Sequence, residues 1–393
     1  MIRYHRITLK KLLNQVKFAS KEPYLNAEIW KDVQLTVIKK IISLENKVRV
    51  KKTEIKDLNI FRKNPSQKLT KEESIKIKTK IKFLEEKLEK IRFVIDVYRS
   101  IGDAVAFTFI SKLDIKPQNF KKSAGFISEK EGLKKEIDSF KKIYHEGMIA
   151  VFNDITSVLK YCDLTVVYPG GFSLIEIKSS EFENSRIRRQ KENADKIVKY
   201  LKTDKTDNLY ETQGETIRVD LNSTEINYIE ALNMLIRTSR STRNAISEVE
   251  KGISYFISRE FDENFMEQNL KQFKNPIMVS LNDYKFTGQG YFPFSLSILD
   301  SDDYLDFIDG SFVIFIIIDL EEIKNYCSLK KYNFFFTGDE RFIVALAPQW
   351  SDDPSVMVKL SDHYFFRSCA EFVSLQWLID DSIANFEKMK NYN

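Results

Sequence analysis

The stretch YCDLTVVYPGGFSLIEIKSS (residues 161–180) decides the fold that we expect for this chain. Its first part, CDLTVV, predicts a short apolar strand, PGG predicts a turn, and FSLIEIK predicts a second strand, so the stretch predicts a β-hairpin. In an antiparallel hairpin the start of one strand lies beside the end of the next, so Asp163 and Glu176 are expected to be neighbours. Side chains alternate along a strand, so Glu176 and Lys178 are expected to share a face.

Two carboxylates and a lysine at one end of a hairpin suit the hydrolysis of phosphodiester bonds. Asp163 and Glu176 offer the oxygen ligands that Mg²⁺, or Mn²⁺, prefers. The ammonium of Lys178 could orient or help to deprotonate a metal-bound water, and could offset negative charge that develops on phosphorus. The alternative interpretation is a surface cross-strand ion pair between Lys178 and an acid.

The tripeptide Glu-x-Lys alone is a weak signal, because it occurs five times in the chain. The first three copies lie in lysine-rich helical sequence, where such pairs are ordinary solvated faces. The last copy follows the apolar run FVIFIII (residues 312–318), but it lies past the end of that strand and lacks a preceding Asp-strand-turn segment. Only the fourth copy has that segment. The five copies begin at Glu45, Glu54, Glu85, Glu176 and Glu322.

The hairpin and the elements around it resemble the PD-(D/E)xK nuclease superfamily, the fold of many restriction enzymes, recombination nucleases and bacterial defence nucleases. The family core runs helix, three strands, helix, strand. A helix is expected over residues 132–152, a strand over 156–161, and then the two hairpin strands. Ser185 caps a helix over RIRRQKENADKIVKYL, and ETIRVDL (215–221) supplies a closing strand. The expected fold is therefore α/β, with a restriction-endonuclease-like core in which helices flank a central mixed sheet.

This resemblance implies roles for the matching residues. Asp163 and Glu176 would be the metal ligands, and Lys178 would be the catalytic lysine. Glu146, in the helix before the strands, would be the acid that many members place beside the metal. Gln190 would face the site from the helix that follows the hairpin. For Glu146 the alternative is an ordinary carboxylate on a helix surface.

The helix after the hairpin also offers arginines that would contact nucleic acid under the same resemblance. These residues are Arg186, Arg188 and Arg189. A solvated helix face is the alternative interpretation for Arg189. One position departs from the family pattern, because Cys162 stands where a proline is conventional before the aspartate.

Composition argues against several other classes of protein. The 393 residues, 43% of them hydrophobic, are enough for two or three structural units. Three histidines argue against chemistry that needs several imidazoles, and the sequence has no Gly-x4-Gly-Lys-Ser/Thr loop of an ATP-driven motor.

Three scattered cysteines form neither a disulfide framework nor a zinc-ligand spacing, which favours a reducing cytosol. No apolar run reaches the roughly 20 residues of a membrane span, and MIRYHRITLKKLL lacks the features of a secretory signal. A cytoplasmic protein with no membrane partner is expected.

Charge is distributed unevenly along the chain. Residues 1–200 carry 43 Lys and Arg against 26 Asp and Glu, whereas the remainder carries 19 against 31. A polyanion such as DNA would be attracted to the first half. The alternative interpretation is that lysine-rich helices are simply well solvated.

Three domains are expected. Apolar residues recur at helical spacing over residues 27–99, with a break at Asn64-Pro65-Ser66 and a capping box at Thr70. This pattern predicts an antiparallel helical hairpin within a basic N-terminal domain (1–100). The nuclease-like core occupies 101–222. An acidic α/β or α+β domain of unknown role occupies 223–393. The hairpin could reach over nucleic acid, form a homodimer or hold a protein partner, and the sequence does not choose among these.

The sequence thus predicts a divalent-metal-dependent nuclease that hydrolyses phosphodiester bonds of DNA. Its architecture resembles nucleases of bacterial antiphage defence or of mobile elements. Two alternatives stay open. One is a catalytically inactive nuclease fold that binds nucleic acid, and the other is an adaptor that recruits a partner enzyme through its acidic half.

Overall fold

The computed structural model describes residues 2–63, 69–116, 118, 125–177, 185–209, 214–260, 262–285 and 290–390. The chain forms two compact units, Met1–Thr216 and Ile217–Asn393. Both units combine helices with small sheets, and every strand pair with a described register is antiparallel. The expected mixture of helices and strands is therefore present.

Three long helices open the first unit, and the second and third form the expected hairpin. They are α1 (Ile2–Ala19), α2 (Ala27–Lys63) and α3 (Lys71–Phe109). Helices α2 and α3 run antiparallel. Glu45, at the middle of α2, lies 3.8 Å from Arg99, late in α3. Glu54, later in α2, pairs at 3.0 Å with Lys80, which is earlier in α3.

Helix α3 begins at the predicted capping box. The Thr70 hydroxyl accepts a hydrogen bond from the Glu73 N–H, and the Glu73 carboxylate accepts one from the Thr70 N–H. Trp30 and Ile41 of α2 and Ile91 of α3 are buried within the first unit. Burial of each such side chain contributes roughly 1.5–3 kcal/mol, so packing stabilises these long helices more than intrinsic helix propensity does.

A three-stranded antiparallel sheet in the order β1-β2-β3 follows two further helices. The elements are α4 (Lys112–Ile115), α5 (Leu133–His145), β1 (Ile149–Phe152), β2 (Leu164–Tyr168) and β3 (Gly171–Ile175). The helix predicted over 132–152 is shorter, because Gly147 takes a left-handed backbone (φ 77°) and the chain then enters β1. The strand predicted over 156–161 is wrong. That segment forms turns, in which the Asn153 side-chain amide donates to the Tyr161 carbonyl at 2.8 Å.

One side chain fastens α2 to the outer edge of β1. Gln34 is fully buried. Its amide N–H donates to the Ala150 carbonyl at 2.9 Å, and its carbonyl oxygen accepts from the Phe152 N–H at 2.8 Å. A neighbouring strand would otherwise bond these backbone groups, so Gln34 satisfies the edge of the sheet. The hairpin and the sheet thus pack together in one compact unit.

The elements after β3 do not extend this sheet. They are α6 (Ser185–Thr203), β4 (Lys205–Asp207) and β5 (Glu215–Ile217). Strand β5 pairs with β4 in a separate two-stranded sheet, so the closing strand predicted over 215–221 is short and lies outside the β1–β3 sheet. Left-handed residues at Asp204 and Asn208 (φ 56° and 52°) turn the chain back directly after α6. The described residues therefore do not form the central mixed sheet that the family resemblance implied.

An apolar cluster packs α6 against β3 and the turn before β2. Its members are Tyr161, Leu174, Ile197, Tyr200, Leu201 and Leu209. This packing holds the helix that follows the hairpin on the same unit as the hairpin itself.

The second unit is built on two antiparallel sheets, in the orders β6-β7-β9-β8 and β10-β11-β12. Its helices are α7 (Ile229–Thr242), α8 (Glu263–Leu270), α9 (Phe294–Ser297), α10 (Ser301–Asp309), α11 (Leu320–Leu329), α12 (Asp362–Ala370) and α13 (Leu375–Lys390). Its strands are β6 (Asn244–Glu250), β7 (Ile253–Ser258), β8 (Pro276–Ser280), β9 (Val313–Asp319), β10 (Tyr332–Phe336), β11 (Val344–Pro348) and β12 (Val358–Leu360). Helices beside antiparallel sheets give the α+β character that was one of the two expectations for this region.

Candidate active site

The β2–β3 hairpin places Asp163 against the end of the second strand. Leu164 faces Ile175 in the strand register, and the Asp163 N–H donates to the Ile175 carbonyl at 3.0 Å. The carboxylate Oδ2 of Asp163 accepts from the Ile177 N–H at 2.8 Å. Glu176 lies between these two partners, so its backbone is adjacent to Asp163.

Cys162, directly before Asp163, has a backbone conformation that proline cannot adopt. Its φ is 61°, whereas the proline ring holds φ near −65°. Asn153 stabilises this turn, because its side-chain amide donates to the Tyr161 carbonyl at 2.8 Å and its main-chain N–H donates to the Asp163 carbonyl at 3.0 Å. The backbone at position 162 therefore excludes the proline that is conventional before the aspartate.

Three carboxylates converge on the ammonium of Lys130. Its Nζ lies 2.6 Å from Asp154 Oδ2, 3.0 Å from Asp163 Oδ1 and 3.3 Å from Glu136 Oε1. The three acidic side chains are 5–11% exposed, and that of Lys130 is 31% exposed. We call these four residues the Lys130 cluster. It brings together α5, the turn after β1 and the start of β2 around one positive charge.

The cluster shifts the ionisation of its members in opposite directions. Burial, followed by the negative charge of Asp163, raises the pKa of Glu136 to about 7, although Lys130 opposes this shift. Burial lowers the pKa of Lys130, but the neighbouring carboxylates, with Asp154 first among them, raise it above its ordinary value. Lys130 therefore stays an ammonium at neutral pH and cannot act as a general base. The raised pKa means that burial and the charge of Asp163 disfavour the ionised form of Glu136.

The helix before the strands contributes Glu136, not Glu146, to the neighbourhood of Asp163. Glu146 lies at the opposite end of α5, about 15 Å along the helix axis, where its side chain is 47% exposed and pairs at 3.8 Å with Lys142. The structure therefore brings Glu136, and not Glu146, close to Asp163. The spacing in the sequence indicates that Glu136 faces the core, because it precedes Phe140 by four residues and so lies on the same, buried face of the helix.

The remaining predicted site residues are described only in part. Glu176 follows β3 and is exposed. Lys178 lies outside the described residues. For the residues predicted on α6, the structure describes the helical backbone, and their side chains lie outside the description. These residues are Arg186, Arg188, Arg189 and Gln190.

A divalent ion suits the donor chemistry of this region. Within the described ranges, no group of three or more His, Cys, Asp or Glu side chains is arranged to hold a metal. The Lys130 ammonium is nevertheless a stand-in cation, with carboxylate oxygens at 2.6–3.3 Å. Mg²⁺ and Mn²⁺ prefer oxygen ligands of this type, so Asp163 and Glu136 offer the right donor atoms, although their arrangement among the described residues is not that of a metal site.

Other copies of the Glu-x-Lys tripeptide have structural partners. Glu322 pairs with Lys251 at 3.0 Å and with Lys274 at 3.3 Å. Glu45 is fully buried and accepts the Ser128 N–H at 2.9 Å. These glutamates therefore act in ion pairs and hydrogen bonds that hold the fold.

Comparison of the chain with protein-family models, with curated proteins and with solved structures finds no match. Of the helices in the described part of the chain, none is both long and apolar enough to span a membrane.

Proposed function

We propose that this chain is a divalent-metal-dependent nuclease that hydrolyses phosphodiester bonds of DNA, on a core of the restriction-endonuclease-like type. The observation that carries this proposal is that Asp163 and Glu136 lie close together, both in contact with the ammonium of Lys130. Asp163 comes from the start of the hairpin, Glu136 comes from the preceding helix, and Glu176 is adjacent along the backbone. The PD-(D/E)xK resemblance implied an acid from this helix beside Asp163, and in this proposal Glu136 takes the role that was expected for Glu146.

Each residue then has a defined role. Asp163 and Glu176 hold Mg²⁺ or Mn²⁺, and Glu136 is the third acid in place of Glu146. When bound, the metal supplies an activated water and neutralises charge on the phosphate. Lys178 presents an ammonium to the negative charge that develops on phosphorus.

The charge of the first unit supports nucleic acid as the substrate. Residues 1–216 carry 45 Lys and Arg against 30 Asp and Glu. In this proposal the arginines at the start of α6 would bind phosphates, and Gln190 would be the further site residue of that helix. Such an enzyme acts in the cytoplasm, and a setting in antiphage defence or in mobile elements rests on analogy.

Cleavage of labelled linear, circular and single-stranded DNA and of RNA, with Mg²⁺ or Mn²⁺, tests this function. We expect the wild type to cut DNA and EDTA to stop the reaction. Asp163→Asn should lower the rate by at least about 100-fold, the usual scale for losing one electrostatic contact in an active site. Glu146→Gln is the control and should keep the wild-type rate. Equal rates for wild type and Asp163→Asn would overturn the assignment of the site.

A catalytically inactive module that binds nucleic acid is the second candidate function. The observation in its favour is that both oxygens of Asp163 are occupied, Oδ1 by Lys130 and Oδ2 by the Ile177 N–H. In that case the wild type binds DNA without cutting it under any metal condition.

A further inference from the structure

Helix α1 has apolar residues on two of its faces. One face packs into the first unit and includes Leu9, Leu13 and Val16, which are fully buried. The other face is open to solvent, and Tyr4 and Ile7 on it are both 87% exposed. A surface helix typically has a single apolar face, which it packs on the core. The second face of α1 is therefore apolar beyond what the packing of this unit requires.

The exposed face forms a regular row. Its positions 4, 7, 11, 14 and 18 are separated alternately by three and four residues, so they lie along one side of the helix. Tyr4 and Ile7 stand at one end of the row, and Phe18, which is 61% exposed, stands at the other, with Lys11 and Asn14 between them. The row covers about 21 Å, which is the length of a second helix of roughly four turns.

Most of this row borders a groove on the surface of the first unit. The groove has a volume of about 500 Å³, and it is lined by Ile7, Lys10, Lys11 and Phe18 of α1 together with Ile29 of α2. We call it the α1 groove. A concave surface with apolar walls accepts side chains that insert from a partner helix, whereas a flat surface such as a bilayer contacts only side chains that protrude.

The charge of α1 decides which kind of helix fits the α1 groove. Helix α1 contains no Asp or Glu. Glu28, next to Ile29 in α2, pairs with Lys31, so its charge is already balanced. A second copy of α1 would bring like charges together, whereas an acidic helix would be attracted. The basic residues of α1 are Arg3, Arg6, Lys10, Lys11 and Lys17.

We propose that the α1 groove binds an amphipathic helix of a partner protein, with apolar residues on one face of that helix and Asp or Glu beside them. The apolar side chains of the partner pack against Ile7, Phe18 and Ile29, and its carboxylates pair with Lys10 and Lys11. This interaction does not depend on the proposed nuclease activity, because it uses a different part of the first unit.

Binding of synthetic peptides to the intact protein tests the proposal. The probe is a fluorescent peptide of about 18 residues, enough for roughly five helical turns. It has leucine at alternating three- and four-residue spacing, with glutamate and alanine elsewhere. The control peptide has lysine in place of every glutamate. Fluorescence anisotropy should show the glutamate peptide binding at least about tenfold more tightly than the lysine peptide. Equal affinities, or no binding of the glutamate peptide, would overturn the proposal.

A substitution in the groove tests the apolar contact. Ile7→Glu removes an apolar side chain and adds a charge of the same sign as the peptide, so it should weaken binding of the glutamate peptide by at least about tenfold. Val50→Glu, at a 66% exposed apolar position of α2 outside the groove, is the matched control and should bind the peptide as wild type does. Equal affinity for Ile7→Glu and wild type would contradict the proposal.

A charge reversal tests the choice of an acidic partner. With Lys10 and Lys11 both replaced by glutamate, the protein should bind the lysine peptide more tightly than the glutamate peptide. An unchanged preference for the glutamate peptide would overturn the ion pairing on which that choice rests.

Other ligands and the cleavage assay give distinguishable results. Binding of phosphatidylserine vesicles or of single-stranded DNA that Ile7→Glu abolishes, with no binding of the glutamate peptide, would overturn the proposal. Peptide binding by a protein that cuts no nucleic acid would support the α1 groove and reject the nuclease. Metal-dependent cleavage without peptide binding would support the nuclease and reject the α1 groove.

Discussion

Cys162 fixes the direction in which the chain enters β2, because its backbone is left-handed with φ 61°. Glycine adopts this conformation without steric cost, whereas proline cannot adopt it. Cys162→Gly should therefore change the free energy of unfolding by no more than about 1 kcal/mol, and Cys162→Pro should lower it by clearly more than that. Urea denaturation of both variants measures the difference. A proline variant as stable as the wild type would contradict this account of the turn before Asp163.

Asp103 is a buried carboxylate that makes stability depend on pH. It accepts hydrogen bonds from the Ser157 N–H at 2.7 Å and from the Ser157 hydroxyl at 2.6 Å, but burial still raises its pKa from 3.8 to about 6. Between these values the folded chain binds more protons than the unfolded chain, so the contribution of Asp103 to the free energy of unfolding falls as pH rises.

Asp103→Asn should remove this contribution while keeping an acceptor for Ser157. Relative to the variant, the wild type should lose up to ~3 kcal/mol as pH rises from well below 4 to well above 6, which is the free-energy equivalent of the pKa difference. Urea denaturation at a series of pH values measures this. Parallel stability profiles for the two proteins would show that Asp103 does not titrate in that window.

Of the acids that the sequence predicted for the site, Asp163 lies in the Lys130 cluster, whereas Glu146 lies at the far end of α5. Asp163 is identified because a hairpin has a local signature and a short connection. Glu136 and Glu146 occupy the same predicted helix, and the choice between them depends on which helix face packs on the sheet. The burial of Glu136 and the half-exposure of Glu146 resolve this choice only in three dimensions. No local sequence pattern indicates that Lys130 contacts these acids, because its partners are six to thirty-three residues away in the chain.

At the level of elements, α3 passes so close to the turn after β1 that position 102 accepts only glycine. A Cβ on Gly102 would lie 2.3 Å from the Ile155 carbonyl oxygen, whereas a Cβ on Gly125 would meet nothing within 4 Å. Gly102→Ala should therefore lower the free energy of unfolding by about 2 kcal/mol or more, the scale of overpacking in a core. Gly125→Ala is the matched control and should stay within about 1 kcal/mol of wild type. Equal thermal stability of the two variants would contradict the observed close approach.

The helical elements were easier to predict than the strands. The two hairpin helices carry long periodic apolar stripes and a capping box, so their existence and direction follow from local pattern. Strand β1 has only four residues, and its outer edge is satisfied by Gln34, which is 118 residues from Phe152 in the chain. Such a strand is specified by a distant side chain, so no local pattern distinguishes it from the end of the preceding helix.

At the level of the whole molecule, the two compact units differ in charge. Residues 1–216 carry an excess of 15 basic residues, and residues 217–393 an excess of 10 acidic residues. Nucleic acid bound by the first unit should dissociate as salt rises, because phosphate contacts release counterions. With cleavage-deficient Asp163→Asn, DNA affinity should fall more than about tenfold between roughly 50 and 200 mM salt.

The arginines at the start of α6 give this prediction a residue-level test. Replacing Arg186, Arg188 and Arg189 with alanine should reduce the slope of log affinity against log salt by about 3, since each phosphate contact contributes about 0.9. Arg237→Ala, in the acidic unit, should leave the slope unchanged. Fluorescence anisotropy with labelled duplex DNA measures both, and an unchanged slope in the triple variant would exclude these arginines as phosphate contacts.

The second unit was predicted in outline only. The apolar run FVIFIII (residues 312–318), expected from the sequence to be a strand, lies in β9 (Val313–Asp319), between β7 and β8 in its sheet. Phe372 separates α12 from α13, and it takes a left-handed backbone (φ 59°) that no sequence pattern indicates. No motif in this unit points to a chemical role.

Two lysines, each at the end of its own copy of the tripeptide Glu-Ile-Lys, test the nuclease account most directly. Lys178 ends Glu-Ile-Lys after the hairpin, whereas Lys324 ends the identical Glu-Ile-Lys in α11, where it is exposed. The measurement is the rate of Mg²⁺- or Mn²⁺-dependent DNA cleavage by wild type, Lys178→Ala and Lys324→Ala. We predict that Lys178→Ala lowers the rate by at least about 100-fold and that Lys324→Ala matches wild type. Equal rates for the two variants, or no cleavage by wild type with either metal, would contradict the account.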